Sequence, residues 1–159
     1  AYPFSPEVNR AIAHCCRAAG GTVHEGGTFI TMEGPRFSTK GESNLYRQWG
    51  MSIIGMTTSP EAFLAAEAEI AYGVMAHVTD YDVWHQSEAP VTVEMVIQTL
   101  QKNTQIAQNA IGHLVRTMGE WADDFPAHHT LKDAIITDHR HISAQMKQDL
   151  APLVGKYLG

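Results

Sequence analysis

The segment SIIGMTTSPE, at residues 52–61, combines the two signals that decide the fold class. Its first five residues form a short apolar run, which is typical of a buried strand. Its last three residues, Ser59, Pro60 and Glu61, give the order of hydroxyl, proline and carboxylate that begins a helix. A buried strand that leads straight into a helix predicts one unit of a layered α/β structure.

Similar signals on both sides predict an alternation of helices and strands. Ser5-Pro6-Glu7 begins a helix, and Thr39 with Glu42 forms a capping box that begins another. The predicted elements, in chain order, are a helix over 5–20, a strand over 28–33, a helix over 40–50, the strand over 52–56, a helix over 59–70, a strand over 71–78, a long helix capped by Thr92, and a last helix over 143–150 ended by Pro152. This order predicts one α/β domain over residues 1–159, with a sheet layered with helices.

Composition argues against several classes of protein. The chain carries a formal net charge of −6, which argues against a general nucleic-acid binder. No window approaches the ~20 apolar residues that span a bilayer, so no membrane association is expected. The only cysteines, Cys15 and Cys16, are sequence neighbours, which rarely form a disulfide. A reduced, cytoplasmic setting is therefore expected.

Three predicted strands lead into loops with polar residues. Ligands in open α/β sheets bind beyond the carboxyl ends of the strands, so these loops converge on one cavity if the strands are neighbours. A carboxyl group can pair with the amino edge of adenine, an aromatic ring can stack on a base, and a threonine with nearby amides can bind phosphate. The side chains of interest in the three loops are Arg36, Phe37, Ser38, Thr57, Thr58, Thr79, Asp80 and Asp82.

Each of these residues also has a simpler structural interpretation. Asp80 and Asp82 are of a type common in turns, and Glu42 fits an ordinary helix cap better than a catalytic acid. Arg36 fits a surface ion pair as well as an anion ligand, and Phe37 fits the core as well as a stacking site. Residue types and spacing alone leave these alternatives open.

Two further patterns are weighed in the same way. The apolar stripe over 93–97 is by default part of the core, and it could also line an apolar pocket. The motif HRH at 139–141 and the pair HH at 128–129 could bind a metal, but no cysteine or carboxylate cluster completes a recognisable site. His85 is interpreted as a loop histidine. No metal site is therefore predicted.

Three motifs follow one another along the chain: TMEGPRFST at residues 31–39, a segment over 50–60 that contains Met56-Thr57-Thr58, and TDYDVW at residues 79–84. Their order and spacing resemble the family of S-methyl-5'-thioadenosine phosphorylases, within the trimeric purine nucleoside phosphorylases. The resemblance is strong over residues 27–100. It implies part of a nucleoside-phosphorylase-like mixed sheet flanked by helices, a cytoplasmic enzyme and a homotrimer.

The resemblance also implies a reaction, in which 5'-methylthioadenosine and phosphate give adenine and 5-methylthioribose 1-phosphate. Asp80 would contact N7 and N6 of adenine, and Asp82 would support the N6 edge. Asp80 can donate to N7 only when it is protonated, which requires burial. Ser38 stands in the base site, where relatives that cleave inosine and guanosine carry a glutamate.

The remaining implied contacts concern the sugar, the phosphate and the methylthio group. Thr57 would contact phosphate, which is a co-substrate, and no further cofactor is implied. Met56 would contact the ribose. The full set implied for substrate binding is Phe37, Ser38, Ile54, Met56, Thr79, Asp82, Val93, Val96 and Ile97, of which the last three would line the methylthio pocket.

Two departures from the family pattern limit this transfer. Gly55 stands where members often have asparagine, so the role of that side chain is not carried over. The N-terminal half of family chains, with a glycine-rich phosphate loop and an Arg-His pair, has no counterpart here. The chain is therefore expected to be the C-terminal part of a larger phosphorylase and to need an N-terminal half as partner.

Two other functions stay open. One is the cleavage of 6-oxopurine nucleosides such as methylthioinosine, although those relatives usually place asparagine at the position of Asp80. The other is a non-catalytic, purine-binding fragment.

Overall fold

Six helices and two short strands make up the regular structure of the described residues. The computed structural model describes residues 2–82, 92–121 and 124–158. The elements are α1 (Pro6–Ala18), β1 (Phe29–Thr31), α2 (Lys40–Gln48), β2 (Ile53–Gly55), α3 (Thr58–Glu67), α4 (Val93–Thr117), α5 (Ala144–Asp149) and α6 (Ala151–Leu158), with 3₁₀ turns at Met118–Glu120, Pro126–His129 and His139–His141.

The helices begin where the sequence predicts, because their capping side chains form the expected hydrogen bonds. The Ser5 hydroxyl accepts from the amide of Val8, and the Thr92 hydroxyl accepts from the amide of Met95. Thr39 and Glu42 form a complete capping box at the start of α2. These bonds satisfy amide groups that the first helical turn leaves without partners.

The two strands form a parallel pair that fixes the direction of the adjoining loops. Phe29 pairs with Ile53, Ile30 with Ile54, and Thr31 with Gly55. Helix α2 connects the two strands, as a crossover between parallel strands requires. The α/β fold class is confirmed. Because both strands end at the same edge, the loops that follow them leave the sheet side by side.

Segment 71–78 is not a strand in the described structure, so the prediction of a third strand is wrong there. Its main-chain groups form hydrogen bonds with helix side chains instead. The main-chain amide of Val74 donates to the side-chain oxygen of Asn9 at 3.0 Å, and the side-chain amide of Asn103 donates to the carbonyl of Val78 at 3.0 Å. An apolar run indicates burial, but it becomes a strand only where another strand offers ladder bonds. Here α1 and α4 supply the partners.

Two helix boundaries differ from the sequence-based expectation. Helix α3 ends at Glu67 rather than near residue 70, and Glu69 adopts a left-handed backbone with φ of 54°. The predicted helix over 143–150 ends as expected, since α5 ends at Asp149, but Pro152 lies in the first turn of a further helix, α6, that the sequence did not predict. A proline costs no helical hydrogen bond in that turn, because its missing N–H would have no partner there.

The core lies between α1 and α4. Cys15, Cys16 and Ala110 are buried at its centre, and neither cysteine forms a disulfide. Large apolar side chains of α2 and α3, among them Trp49, Phe63 and Leu64, are exposed instead. No helix in the described ranges is long and apolar enough to cross a membrane.

The C-terminal segment is attached to α3 through Glu69. The carboxylate of Glu69 accepts hydrogen bonds from the amide of Leu131 at 2.9 Å and the hydroxyl of Tyr157 at 2.6 Å, and it forms an ion pair with Lys156 at 2.5 Å. Burial raises the pKa of Glu69, but these partners outweigh burial and lower it to about 2. No sequence signal marked Glu69, because its partners lie 62 to 88 residues away.

Candidate active site

The loops that follow β1 and β2 lie against each other, as the sequence predicts. A side chain added at Gly34 would meet the sulfur of Met56 at 3.0 Å, so glycine allows the first loop to approach the second. The main chain continues this contact, because the amide of Met32 donates to the carbonyl of Gly55 at 2.9 Å. Ile54, at the centre of β2, is half-buried one residue before Gly55.

The third loop joins them through Ser38 and Asp82. The Ser38 hydroxyl donates to the Asp82 carboxylate, at 3.3 Å from Oδ1 and 3.4 Å from Oδ2, across 44 residues of sequence. Both side chains are half-buried. A carboxylate offers about four lone-pair sites, so more than one donor can bind to it at once. The carboxylate beside Ser38 is therefore of a type that can accept a hydrogen bond from the amino group of a planar ligand.

Asp80 lies next to this pair but is exposed in the described structure. The Thr79 hydroxyl donates to the Asp80 carboxylate at 2.6 Å, and this contact is separate from the one between Ser38 and Asp82. The expectation that Asp80 is buried is not met within the described residues, because no element covers it there.

The loop over 34–39 carries an exposed aromatic ring. Phe37 is 83% exposed, so the core alternative for this residue is wrong and its ring faces solvent. Arg36 forms a bidentate ion pair with Glu42, at 2.8 and 2.6 Å. The ion-pair alternative for Arg36 is thereby confirmed.

The Glu42 carboxylate takes part both in the capping box of α2 and in the ion pair with Arg36. Hydrogen bonds from Arg36, followed by those from the amide and hydroxyl of Thr39, lower the pKa of Glu42 to about 2. The pair itself keeps the pKa of Arg36 above its usual value. The structural interpretation of Glu42 as a helix cap is therefore confirmed.

Thr57 lies at the start of α3, and its side chain does not cap the helix. The residue is exposed, and the helix is interrupted close to it at Ser59, whose φ of −104° and ψ of 132° are not helical. The following Pro60 has no amide hydrogen, so no regular helical N-terminus lies beside Thr57. The phosphate contact that the resemblance implies for Thr57 stays a prediction.

The apolar stripe at the start of α4 is largely exposed. Val93 is 70% exposed and Ile97 is 48% exposed, whereas Val96 is half-buried. The core interpretation is therefore wrong for Val93 and Ile97. Val83, Trp84 and His85, in the segment that precedes the stripe, lie outside the described residues.

Two surface cavities in the described part of the chain are lined by segments other than these loops. Their volumes are about 350 and 340 Å³, and the first is lined by Glu69 and Lys156 and the second by His113 and Arg116. Within ranges 2–82, 92–121 and 124–158, no group of three histidine, cysteine or carboxylate residues has an arrangement that could hold a metal. The expected convergence is thus seen as contacts between loops rather than as an enclosed cavity.

The amino-acid sequence is similar to those of known phosphorylases. The model of the phosphorylase superfamily matches residues 1–117. The S-methyl-5'-thioadenosine phosphorylase of Chloroflexus aurantiacus is 49% identical over 155 residues, which cover 98% of this chain and 54% of the relative. The enzyme of that name from Geobacter sulfurreducens is 45% identical over 156 residues, with the same two coverages.

Solved structures give the same result. A methylthioadenosine phosphorylase from an Antarctic soil metagenomic library has a TM-score of 0.83 and 39% identity, and the match covers 95% of this chain and 54% of that one. A methylthioadenosine phosphorylase from Schistosoma mansoni, in complex with adenine, has a TM-score of 0.64 and 29% identity, covering 78% and 48%. The chain thus spans about half the length of the relatives it matches.

Proposed function

Because this chain belongs to the phosphorylase superfamily, we propose that it supplies the purine-binding side of an S-methyl-5'-thioadenosine phosphorylase. The observation that carries the proposal is the hydrogen bond between Ser38 and Asp82, which joins two of the family-like motifs in space. The reaction is the phosphorolysis of 5'-methylthioadenosine to adenine and 5-methylthioribose 1-phosphate. The similarity to enzymes of that name supports this choice of substrate.

Adenine is recognised along its N6 and N7 edge. Asp82, oriented by Ser38, accepts a hydrogen bond from the N6 amino group. Asp80 acts as the catalytic acid: in its protonated form it donates to N7, where negative charge builds as the glycosidic bond breaks. Thr79 holds the side chain of Asp80, a role that their 2.6 Å hydrogen bond supports.

The ribose and its 5' substituent lie between the β2 edge and the start of α4. Met56 contacts the sugar and Ile54 lies behind it, while Phe37 covers the nucleoside. Val93, Val96 and Ile97 receive the methylthio group, and the exposure of Val93 and Ile97 supports this role, because such side chains gain from an apolar ligand. An apolar pocket disfavours a 5'-hydroxyl, since a buried hydroxyl without a partner costs ~1–3 kcal/mol.

Phosphate is the second substrate, and the reaction needs no other cofactor. It stabilises the oxocarbenium-like ribose from the face opposite the base and then captures it. The exposed Thr57 contributes one side of the phosphate site. The remaining phosphate ligands come from an N-terminal half that pairs with this chain.

The active enzyme is a homotrimer built from such pairs and works in the cytoplasm. Exposed apolar side chains on α2 and α3, among them Trp49 and Phe63, support the pairing, because large exposed apolar patches mark interaction surfaces. The two unoxidised thiols at Cys15 and Cys16 are consistent with a reducing compartment.

The test is to supply the missing half in trans. The chain is mixed with an N-terminal half taken from the Chloroflexus aurantiacus relative, with methylthioadenosine, and with or without phosphate. We expect chromatography to show adenine only when phosphate is present and Asp80 is intact. Binding of methylthioadenosine without adenine release would identify a non-catalytic fragment, and no adenine with both halves present would refute the enzymatic proposal.

A further inference from the structure

The loop over 34–39 is held by more contacts than its helix cap needs. Arg36 donates to both carboxylate oxygens of Glu42 and, at 3.0 Å, to the carbonyl of Phe37. Glu42 in turn accepts from the amide of Thr39 at 2.8 Å. The Phe37 carbonyl and the Thr39 amide belong to the two peptide groups on either side of Ser38. The network therefore fixes the backbone at Ser38 from both directions.

This backbone position decides whether Ser38 reaches Asp82. At 3.3 Å their contact is longer than the ~2.5–3.0 Å usual for O–H···O hydrogen bonds and therefore weak, so a small shift of the loop would break it. Resting on the proposed function, we propose that Arg36 and Glu42 are positioning residues for base recognition. They hold the Ser38 hydroxyl against Asp82 and thereby set the affinity for the purine.

Arg36 is not explained by helix capping. The capping box of α2 is complete with Thr39 and Glu42 alone, and Arg36 lies outside the helix. Arg36 and Glu42 are also partly exposed, and such ion pairs contribute little to stability. A bidentate pair does fix orientation, because two parallel hydrogen bonds define a plane. Orientation of the loop is therefore the effect that the geometry supports.

The pair remains ionised wherever the enzyme would work. Arg36 is the largest cause of the lowered pKa of Glu42, which lies at about 2. The groups that face the Glu42 carboxylate are Arg36 and Thr39, and neither loses its proton near neutral pH. The positioning effect is thus expected to be constant across the neutral range.

The kinetic test compares Arg36→Ala with two other variants in the preparation that contains both halves. We expect Arg36→Ala to raise the KM for methylthioadenosine ~fivefold, with the KM for phosphate and the melting temperature unchanged. Ser143→Ala, which removes the hydroxyl that caps α5 far from this loop, should lower the melting temperature and leave both KM values near those of the wild type. Glu25→Gln breaks the exposed Arg17–Glu25 ion pair elsewhere and should change neither.

Two further measurements separate orientation from charge. Arg36→Lys keeps the charge but cannot form the bidentate contact, so it should raise the KM for the nucleoside as Arg36→Ala does. In a Ser38→Ala background, Arg36→Ala should have no additional effect, because both changes act on one contact. Additive effects, or an equal rise in the KM for phosphate, would overturn the inference.

An NMR readout on the chain itself does not depend on turnover. The amide signal of Asp82 should move in Arg36→Ala, as in Ser38→Ala, and should stay in place in Glu25→Gln. A moved signal with no adenine release by the wild type would refute the proposed function but not the positioning. An active wild type with an unmoved signal and unchanged KM values would refute the positioning alone.

Discussion

At the scale of single residues, the proposed function makes serine at position 38 a determinant of base choice beside Asp82. The Ser38 hydroxyl donates to the carboxylate and adds no charge, and a carboxylate can accept from more than one donor. A glutamate at position 38 would place a second negative charge against Asp82, which is unfavourable at this distance. Under the proposed function, this pair would therefore favour a 6-amino purine.

Asp80→Asn tests the proposed contact between Asp80 and the purine base. An amide cannot act as an acid toward N7, but its NH₂ group can donate to a 6-oxo group. We expect the ratio of kcat/KM for methylthioinosine to that for methylthioadenosine to rise by ~tenfold or more. Steady-state kinetics of the two substrates, with exposed Asp133→Asn as a control, gives the ratio. Unchanged selectivity for adenine would show that Asp80 does not read the base.

At the scale of elements, the β1–β2 pair explains why position 55 holds glycine rather than the asparagine common among relatives. A side chain at Gly55 would lie 2.7 Å from the tip of the Phe29 ring, on the paired strand. Phe29 thus occupies the volume that an asparagine would need. In this chain, the Phe29 ring therefore leaves room only for glycine at position 55.

Gly55→Asn should therefore destabilise the strand pair. We expect the free energy of unfolding to fall by ~1–3 kcal/mol, because the Phe29 ring must move. Urea denaturation measures the loss, and Gly119→Asn is a matched control, since a side chain there meets no atom within 4 Å. The double variant Phe29→Ala, Gly55→Asn should lose less than the sum of its single changes. Strictly additive losses would argue against the clash.

The elements also show which parts of the structure could be predicted. Caps are local, so Ser5, Thr39, Thr92 and Ser143 allowed the helix starts to be placed correctly. A strand depends on a partner elsewhere in the chain, so the apolar run over 71–78 predicted burial but not its pairing with helices. Residue type alone could not decide such non-local pairing.

The candidate site divides in the same way. The convergence of loops followed from parallel strand order, and the motifs pointed to Ser38 and Asp82 before their contact was seen. The exposure of Asp80 and of Val93 could not be predicted, because exposure depends on what covers a side chain from distant segments. Arg36 and Glu42 have the residue types of an ordinary surface ion pair. The sequence does not show that their hydrogen bonds to the Phe37 carbonyl and the Thr39 amide hold the backbone on both sides of Ser38.

At the scale of the whole molecule, Glu69 connects the C-terminal segment to the α/β part. Its three partners lie on the segment over 131–157, and Lys156 also donates to the carbonyl of His128 at 2.8 Å. The carboxylate is almost completely buried, with its side chain 6% exposed. Removing it would leave several donors without an acceptor, which is costly in a buried position.

Glu69→Ala should detach this segment. We expect the melting temperature to fall by roughly 2–8 °C, because the Leu131 amide and the Tyr157 hydroxyl lose their acceptor. Limited proteolysis should then cut the C-terminal segment first, while the fragment with α1 and α4 persists. Glu61→Ala, which removes an exposed partner of Tyr72, is the control. Equal cleavage of all segments would mean that Glu69 supports the fold as a whole.

Acid should weaken the same contact. The pKa of Glu69 and that of Glu42 are lowered from 4.5 to about 2 in the folded chain. The buried Glu69 therefore contributes stability that is fully present above about pH 4.5 and is lost as pH falls toward 2, whereas the exposed Arg36–Glu42 pair contributes little. Melting temperatures measured from about pH 6 to pH 2.5 should fall more steeply for the wild type than for Glu69→Gln, whose amide does not titrate in this range. Parallel curves would contradict the linkage.

The two neighbouring thiols buried between α1 and α4 allow unfolding to be followed by the rate at which they react with a thiol reagent. Cys15 and Cys16 are almost completely shielded, and a thiol reagent can reach them only when the two helices separate. The labelling rate therefore measures how often that pair opens. Loss of the C-terminal segment would leave labelling slow, whereas global unfolding would make it fast. A single dye can thus distinguish local from global opening in every variant above.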